Sequence, residues 1–148
     1  MNQRNQIPKK MRSIFDAVKN IQAVDPIAAS AAQTSVAIDT KGYNSGAVVI
    51  VNGAATGTPT SYIVDAKVQH CDTSGGSYVD VTGATITQIT ADSKVATIRL
   101  SGFGTSSLKR FIKIVVTPAL AGGSSPKALV SATVQLGRGY KEQVGNTQ

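Results

Sequence analysis

The sequence predicts an all-β fold, an antiparallel β-sandwich (jelly-roll or immunoglobulin-like) with an extended or partly helical N-terminal arm. Three observations carry that reading. Apolar and polar residues alternate along most of the chain after about residue 33, which is the period of strands that bury one face. Gly, Ser, Asp and Pro interrupt these runs at short intervals, as turns between short strands do. No helical segment lies between the runs, so the crossovers that a parallel sheet needs are missing.

Residues 1–32 read as the N-terminal arm, 33–140 as the β-sandwich domain and 141–148 as a polar C-terminal tail. The only periodicity in the arm is helical. Met11, Ile14, Phe15, Val18 and Ile21 recur at offsets of three and four, predicting an amphipathic helix from about Lys9 to Ile21. Pro8 suits its first turn, and Pro26 disfavours helix at Asp25. The small-residue stretch IAASAAQTS beyond it reads as a tether. Such a helix either packs on its own domain or docks on a neighbouring subunit with its apolar residues as anchors.

The strands follow in order. SVAID (35–39) sets Val36 and Ile38 against Ala37 and Asp39, and residues 41–46 make a turn before AVVIV (47–51), a run apolar enough for burial on both faces. Residues 53–59 form a loop. The clearest unit is 61–81: Tyr62, Val64, Ala66 and Val68 share one side, Asp65, Lys67 and Gln69 the other, and residues 72–76 supply a turn. With Tyr78, Val79 and Val81 resuming an extended run, this is a β-hairpin. Residues 84–89 alternate poorly, because Ile86 and Ile89 are out of phase. Residues 94–100 set Ala96, Ile98 and Leu100 against Val95, Thr97 and Arg99, and 111–117 and 129–136 bring the total to about eight strands.

Bulk properties bound the function. A chain of 148 residues fits one domain, which at this size buries roughly two thirds of its unfolded surface. No apolar run approaches the roughly 18 residues that span a bilayer, and MNQRNQIPKKMRS has charges without a following apolar core, so neither membrane anchor nor secretion signal is expected. A single cysteine, Cys71, excludes an intrachain disulfide and leaves only an intersubunit one, so the fold must be stable without staples and could form in a reducing cytoplasm. The net charge of +7 favours an acidic partner, and Arg4, Lys9, Lys10, Arg12 and Lys19 against Asp16 leave +4 in the first twenty residues.

Searching for chemistry yields no constellation. His70 and Cys71 are neighbours that point to opposite faces of a strand end and do not make a zinc site; they read as a surface imidazole beside a small buried thiol. Asp72 and Asp80 flank the hairpin and meet across it or serve as turn residues. SGFGTSS lacks the further glycine or lysine of a nucleotide loop and reads as a turn. Lys109, Arg110 and Lys113, joined by Arg99, form a basic cluster, but the chain has no Trp and only 5% aromatic residues. That scarcity speaks against nucleic-acid and carbohydrate platforms and for a solvated or acid-facing surface. No enzyme activity, cofactor or metal is expected.

The motifs Ile38–Tyr43 (ID-x-x-GY), Gln69–Asp72 (Q-H-x-D), Arg110–Ile112 (R-F-I) and Leu136–Gly137 (LG) resemble those of a recurrent small head protein of tailed bacteriophages. The resemblance spans about residues 35–140. It implies a virion protein of the capsid decoration or cement type, made in the host cytoplasm and bound in many copies to the major capsid protein. It also fits a homo-oligomer, dimer or trimer, with edge strands available for pairing. On this reading Arg4, Lys9, Lys10 and Arg12 face an acidic capsid surface, and Ile7, Met11, Ile14 and Phe15 are the arm's apolar anchors. The competing expectation is a neck, tail or host-surface binding module.

Overall fold

The computed structural model describes residues 18–137. Within them the strands are β1 (Val18–Ala29), β2 (Gln33–Thr34), β3 (Ile38–Asp39), β4 (Ser45–Thr56), β5 (Ser61–Cys71), β6 (Val79–Thr85), β7 (Lys94–Ser101), β8 (Phe111–Ala121) and β9 (Lys127–Gly137). They form two antiparallel sheets. Sheet A has the order β1-β9-β4-β7, and sheet B the order β2-β8-β5-β6, with β3 also paired to β8.

β2 and β3 are two halves of one broken strand, since both pair with β8. Ser35 makes the break: its backbone N–H donates to the Ile114 carbonyl at 2.9 Å, while its Oγ accepts the Ile114 N–H at 2.9 Å and donates to the Val36 carbonyl at 2.8 Å. Side chain thus replaces ladder. The alternation expected across 35–39 fails here, with Val36 77% exposed and Ser35 and Ile38 buried.

Counting β2–β3 once leaves eight strands in two sheets of four. The first strand pairs with the last, and only the β5–β6 hairpin joins neighbours within one sheet. This is the double Greek-key order of a jelly roll, whereas an immunoglobulin sandwich groups its strands as ABED and CFG. The topology that the sequence left open is therefore the jelly roll.

The hydrophobic core lies between the sheets. Val48, Ile50, Val130, Val134 and Leu136 of sheet A meet Val64, Val68, Ile112, Ile114 and Val116 of sheet B, all essentially inaccessible to water. Two polar side chains cross that space, Asn52 and Tyr62, whose hydroxyl donates to the Gly53 carbonyl at 3.2 Å. Asn52 donates to the Tyr62 hydroxyl at 2.7 Å and the Ala91 carbonyl at 2.9 Å, and accepts the Lys94 N–H at 2.9 Å. It thereby fixes the start of β7 to β4 and to sheet B.

Several expectations are corrected. The helix expected over 9–21 does not extend through Val18–Ile21, which open β1 in register with β9 (Ile21↔Val134). β-Branched Val18, Ile21, Val24 and Ile27 favour extended backbone, and Pro26 is tolerable because β1 is a sheet edge. Part of the expected arm and tether is thus built into the sandwich. AVVIV is buried on one face only: Val48 and Ile50 are inaccessible, yet Val51 is 43% exposed. The strand expected over 84–89 ends at Thr85, and Ile89 makes a single bridge to Val64.

Candidate functional site

The expected arm anchors, Arg4, Ile7, Lys9, Lys10, Met11, Arg12, Ile14 and Phe15, lie outside the described residues. What the structure does fix is where their segment joins the fold. Val18 pairs with Gly137, which pairs with Ser45, which pairs with Ser101. The first and last described residues, Val18 and Gly137, are therefore neighbours at one end of sheet A. Residues 1–17 and 138–148 together hold Arg4, Lys9, Lys10, Arg12, Arg138 and Lys141 against Asp16 and Glu142, a net +4 of the chain's +7.

The outer face of sheet A is assembled by register. Val51 lies between Val95 and Ser131, Val49 between Thr97 and Thr133, and Ala47 between Arg99 and Gln135. Leu129 lies against Gly53, where a Cβ would sit 3.1 Å from a Leu129 methyl. Val95 is 65% and Leu129 46% exposed. Among the registered positions of this face in the described residues, Arg99 and Lys127 are the charges and no carboxylate appears. Large apolar side chains at adjacent positions of one sparsely charged face make a contact surface.

Sheet B presents the opposite kind of exterior. Lys67 is 2.8 Å from Asp80, whose other oxygen accepts from Gln69 at 2.8 Å. Both contacts pull the Asp80 carboxyl below its usual pKa, Lys67 first. Gln88 donates to both oxygens of Asp65. Arg110 grips Asp39 through two bonds of 2.8 and 2.7 Å, and Lys41 N–H adds a third at 3.0 Å. The Arg110 bonds, then the Lys41 N–H, lower the Asp39 pKa to about 2. The Lys113 ammonium sits 4.4 Å from the Tyr78 ring centroid.

The basic cluster expected at Lys109, Arg110, Lys113 and Arg99 is not one patch. Arg99 belongs to sheet A, Arg110 is bound to Asp39, and Lys109 is 2.8 Å from Asp72. Asp72 and Asp80 do not meet across the hairpin; each bonds its own lysine.

His70 is not the surface imidazole that strand-end position suggested. It is 7% exposed, with Nδ1 accepting the Lys109 N–H at 3.1 Å. Burial, and secondarily the Lys109 charge, push its pKa below the usual imidazole value, while Asp72 pulls the other way. Inward parity at position 70, in phase with Val64 and Val68, was the signal available in the sequence. Cys71 is buried as expected, its Sγ 3.9 Å from Thr73 Oγ1. Among the described residues no group of three His, Cys, Asp or Glu is placed to hold a metal.

An open groove of about 520 Å³ runs beside the N-terminal half of β7, walled by residues 85–91 and 94–97. Thr, Gln, Ile and Ala dominate its lining, Lys94 contributes the charge, and no carboxylate or histidine is present. These groups bind backbone or hydroxyl partners rather than supply acid–base chemistry.

No family model and no curated protein matches the sequence. Among solved structures the chain is similar to the SPBc2 prophage-derived protein YomS, at 12% identity and a TM-score of 0.41, over 80% of this chain and 93% of that one. It is also similar to a chain in the structure of infectious bursal disease virus Gx strain, at 17% identity and a TM-score of 0.41, over 84% of this chain and 32% of that one.

Proposed function

We propose that this chain is a non-enzymatic structural protein of a tailed-bacteriophage virion, binding the major capsid lattice and stabilising the head as a decoration or cement protein. The jelly roll recurs in viral capsid proteins, lectins and cupins, so architecture alone does not choose among them. The observation that carries the proposal is the outer face of sheet A, where Val51, Val95 and Leu129 stand exposed on β4, β7 and β9, three strands that hold no carboxylate. Covering such a face removes apolar area from water at about 25 cal/mol per Å² and strands few charges.

The terminal segments add a second term. Val18 and Gly137, which adjoin them in the chain, are paired at one end of sheet A, and the segments carry a net +4, so a lattice with acidic surface beside an apolar footprint would gain two linked contacts. The motifs shared with small phage head proteins point to the same class of partner.

Counting the chain and locating it in purified particles tests the proposal. Many copies distributed over the shell, with sheet A turned inward to the lattice, are expected. A few copies confined to one vertex would instead make it a neck or tail component, and its absence from particles would remove the virion role altogether.

A further inference from the structure

Four strands border the two sheets, and three of them are blunted against edge-to-edge pairing. β1 carries Pro26 and two register shifts. The β2–β3 strand is broken into two-residue pieces. β6 pairs with β5 through a shift between Lys67 and Gln69. β7 differs: it pairs with β4 through eight consecutive residues, Lys94 to Ser101, with no shift and no proline. Its other edge is unpaired among the described residues, since β7 ends the sheet A order. An unbroken free edge is a template for another strand.

We propose that β7 is a homodimer seam, pairing antiparallel with β7 of a second copy so that Thr97 of each chain lies on the two-fold axis. A two-fold perpendicular to the sheet makes the pairing antiparallel and isologous. It also keeps the outer faces aligned, so each residue must oppose one of its own parity. Two registers of this kind pair seven residues of β7, one centred on Thr97 and one on Ile98.

Charge separates them. Centring on Ile98 sets Arg99 opposite Thr97 of the second copy, which makes the two guanidinium groups diagonal neighbours roughly 7–8 Å apart at the backbone. Centring on Thr97 sets Arg99 opposite Val95 of the second copy, four positions from its counterpart. There the Arg99 stem covers the 65% exposed Val95, the threonines form a favourable cross-strand pair, and Lys94 opposes Leu100. The two sheets become one, and their outer faces join into a single surface. The groove walled by residues 85–91 and 94–97 is then bordered by the added strand.

Two glutamate substitutions on the same face of β7 have opposite consequences. Val95→Glu places a carboxylate opposite Arg99 at two symmetric points and tightens the dimer roughly two- to thirtyfold. Thr97→Glu puts two carboxylates together on the axis and weakens it about fivefold or more. Sedimentation equilibrium of the full chain and both variants reads these changes without any capsid, so the outcome is separable from the lattice reading. A wild-type chain that stays monomeric to its solubility limit overturns the seam, and equal weakening by both substitutions overturns the register. Should Thr97→Glu fail to fold, a nitroxide on Thr97→Cys serves instead, Cys71 being buried. This label must give a shorter inter-copy distance than one on Arg99→Cys, which is exposed on the same face, and comparable distances from the two, as centring on Ile98 requires, contradict the proposal.

Discussion

On the outside of sheet B, Lys67, Asp80, Asp65, Arg110 and Asp39 are each held by a neighbour within 3.2 Å, whereas across the sandwich Val51, Val95 and Leu129 stand exposed beside serines and threonines. Both exteriors come from the outward residues of antiparallel strands over one shared core. The difference lies in what each would lose on meeting a partner. Sheet B would have to desolvate ion pairs already satisfied within the chain, while sheet A would shed water from apolar surface. The exposed valines of sheet B, Val36 and Val79, stand apart at its two opposite edges, and a face whose polar groups bond one another is finished as a surface. A face of uncommitted apolar groups is prepared for contact.

That contrast depends on the two sheets being held in one arrangement, and Asn52 is the polar tie between them. Asn52→Ala removes the bonds that this buried side chain makes to the Tyr62 hydroxyl, the Ala91 carbonyl and the Lys94 N–H. It should cost about 1–2 kcal/mol, read as a shift in the urea midpoint, and should loosen the start of β7 in hydrogen exchange. An unchanged midpoint would mean that apolar packing alone sets the sheets.

A smaller effect follows from His70, at the end of β5. Its folded-state pKa lies below the ordinary 6.5 because burial disfavours the imidazolium and Lys109 repels it, against the pull of Asp72. The unfolded chain therefore binds the proton more readily. Stability should be full above about pH 6.5 and fall as the pH drops below it, levelling only under the folded pKa. In His70→Gln the slope between pH 6.5 and 5 should flatten, as checked by denaturation midpoints across that window; a slope equal to wild type would assign the effect elsewhere.

The smallest effects belong to the sheet B pairs. Lys67→Ala should leave the midpoint unchanged within error, because exposed pairs often contribute nothing measurable. Asp39 keeps its charge down to about pH 2, so whatever the Arg110 contact contributes is present above 3.8 and lost between there and about 2. Titration of the Asp39 carboxyl by NMR checks this directly, and a midpoint near 3.8 would show that the contact with Arg110 does not persist in solution.

Much of the fold was legible because the period-2 signal is local. Val64, Ala66 and Val68 alternate with Asp65 and Lys67 in the sequence as they do in burial, and the β5–β6 hairpin follows from its turn residues. Strand order was not legible, since β1 meets β9 more than a hundred positions away and nothing in either strand encodes that meeting locally. β1 itself was hidden by a coincidence: Val18 and Ile21 fit a helical spacing, while the edge position that makes Pro26 acceptable is a tertiary fact. The outer face of sheet A was half visible. Alternation separated Val95, Thr97 and Arg99 from Ile98 and Leu100, but the register that puts Val95 beside Val51 had to come from the structure.

The central claim, that sheet A rather than sheet B meets the partner, is tested most directly by inserting charge on one face at a time. Leu129→Glu with Thr133→Glu lies on β9, away from β7; Thr117→Glu with Ala119→Glu is the matching change on β8. Each protein is titrated onto empty capsids of the phage to which the proposal assigns the chain. The account predicts a loss of about a hundredfold or more in affinity for the β9 pair, as for hot-spot residues, and little change for the β8 pair, with both variants folded by circular dichroism. Undiminished binding by the β9 pair, or a larger loss from the β8 pair, would contradict it.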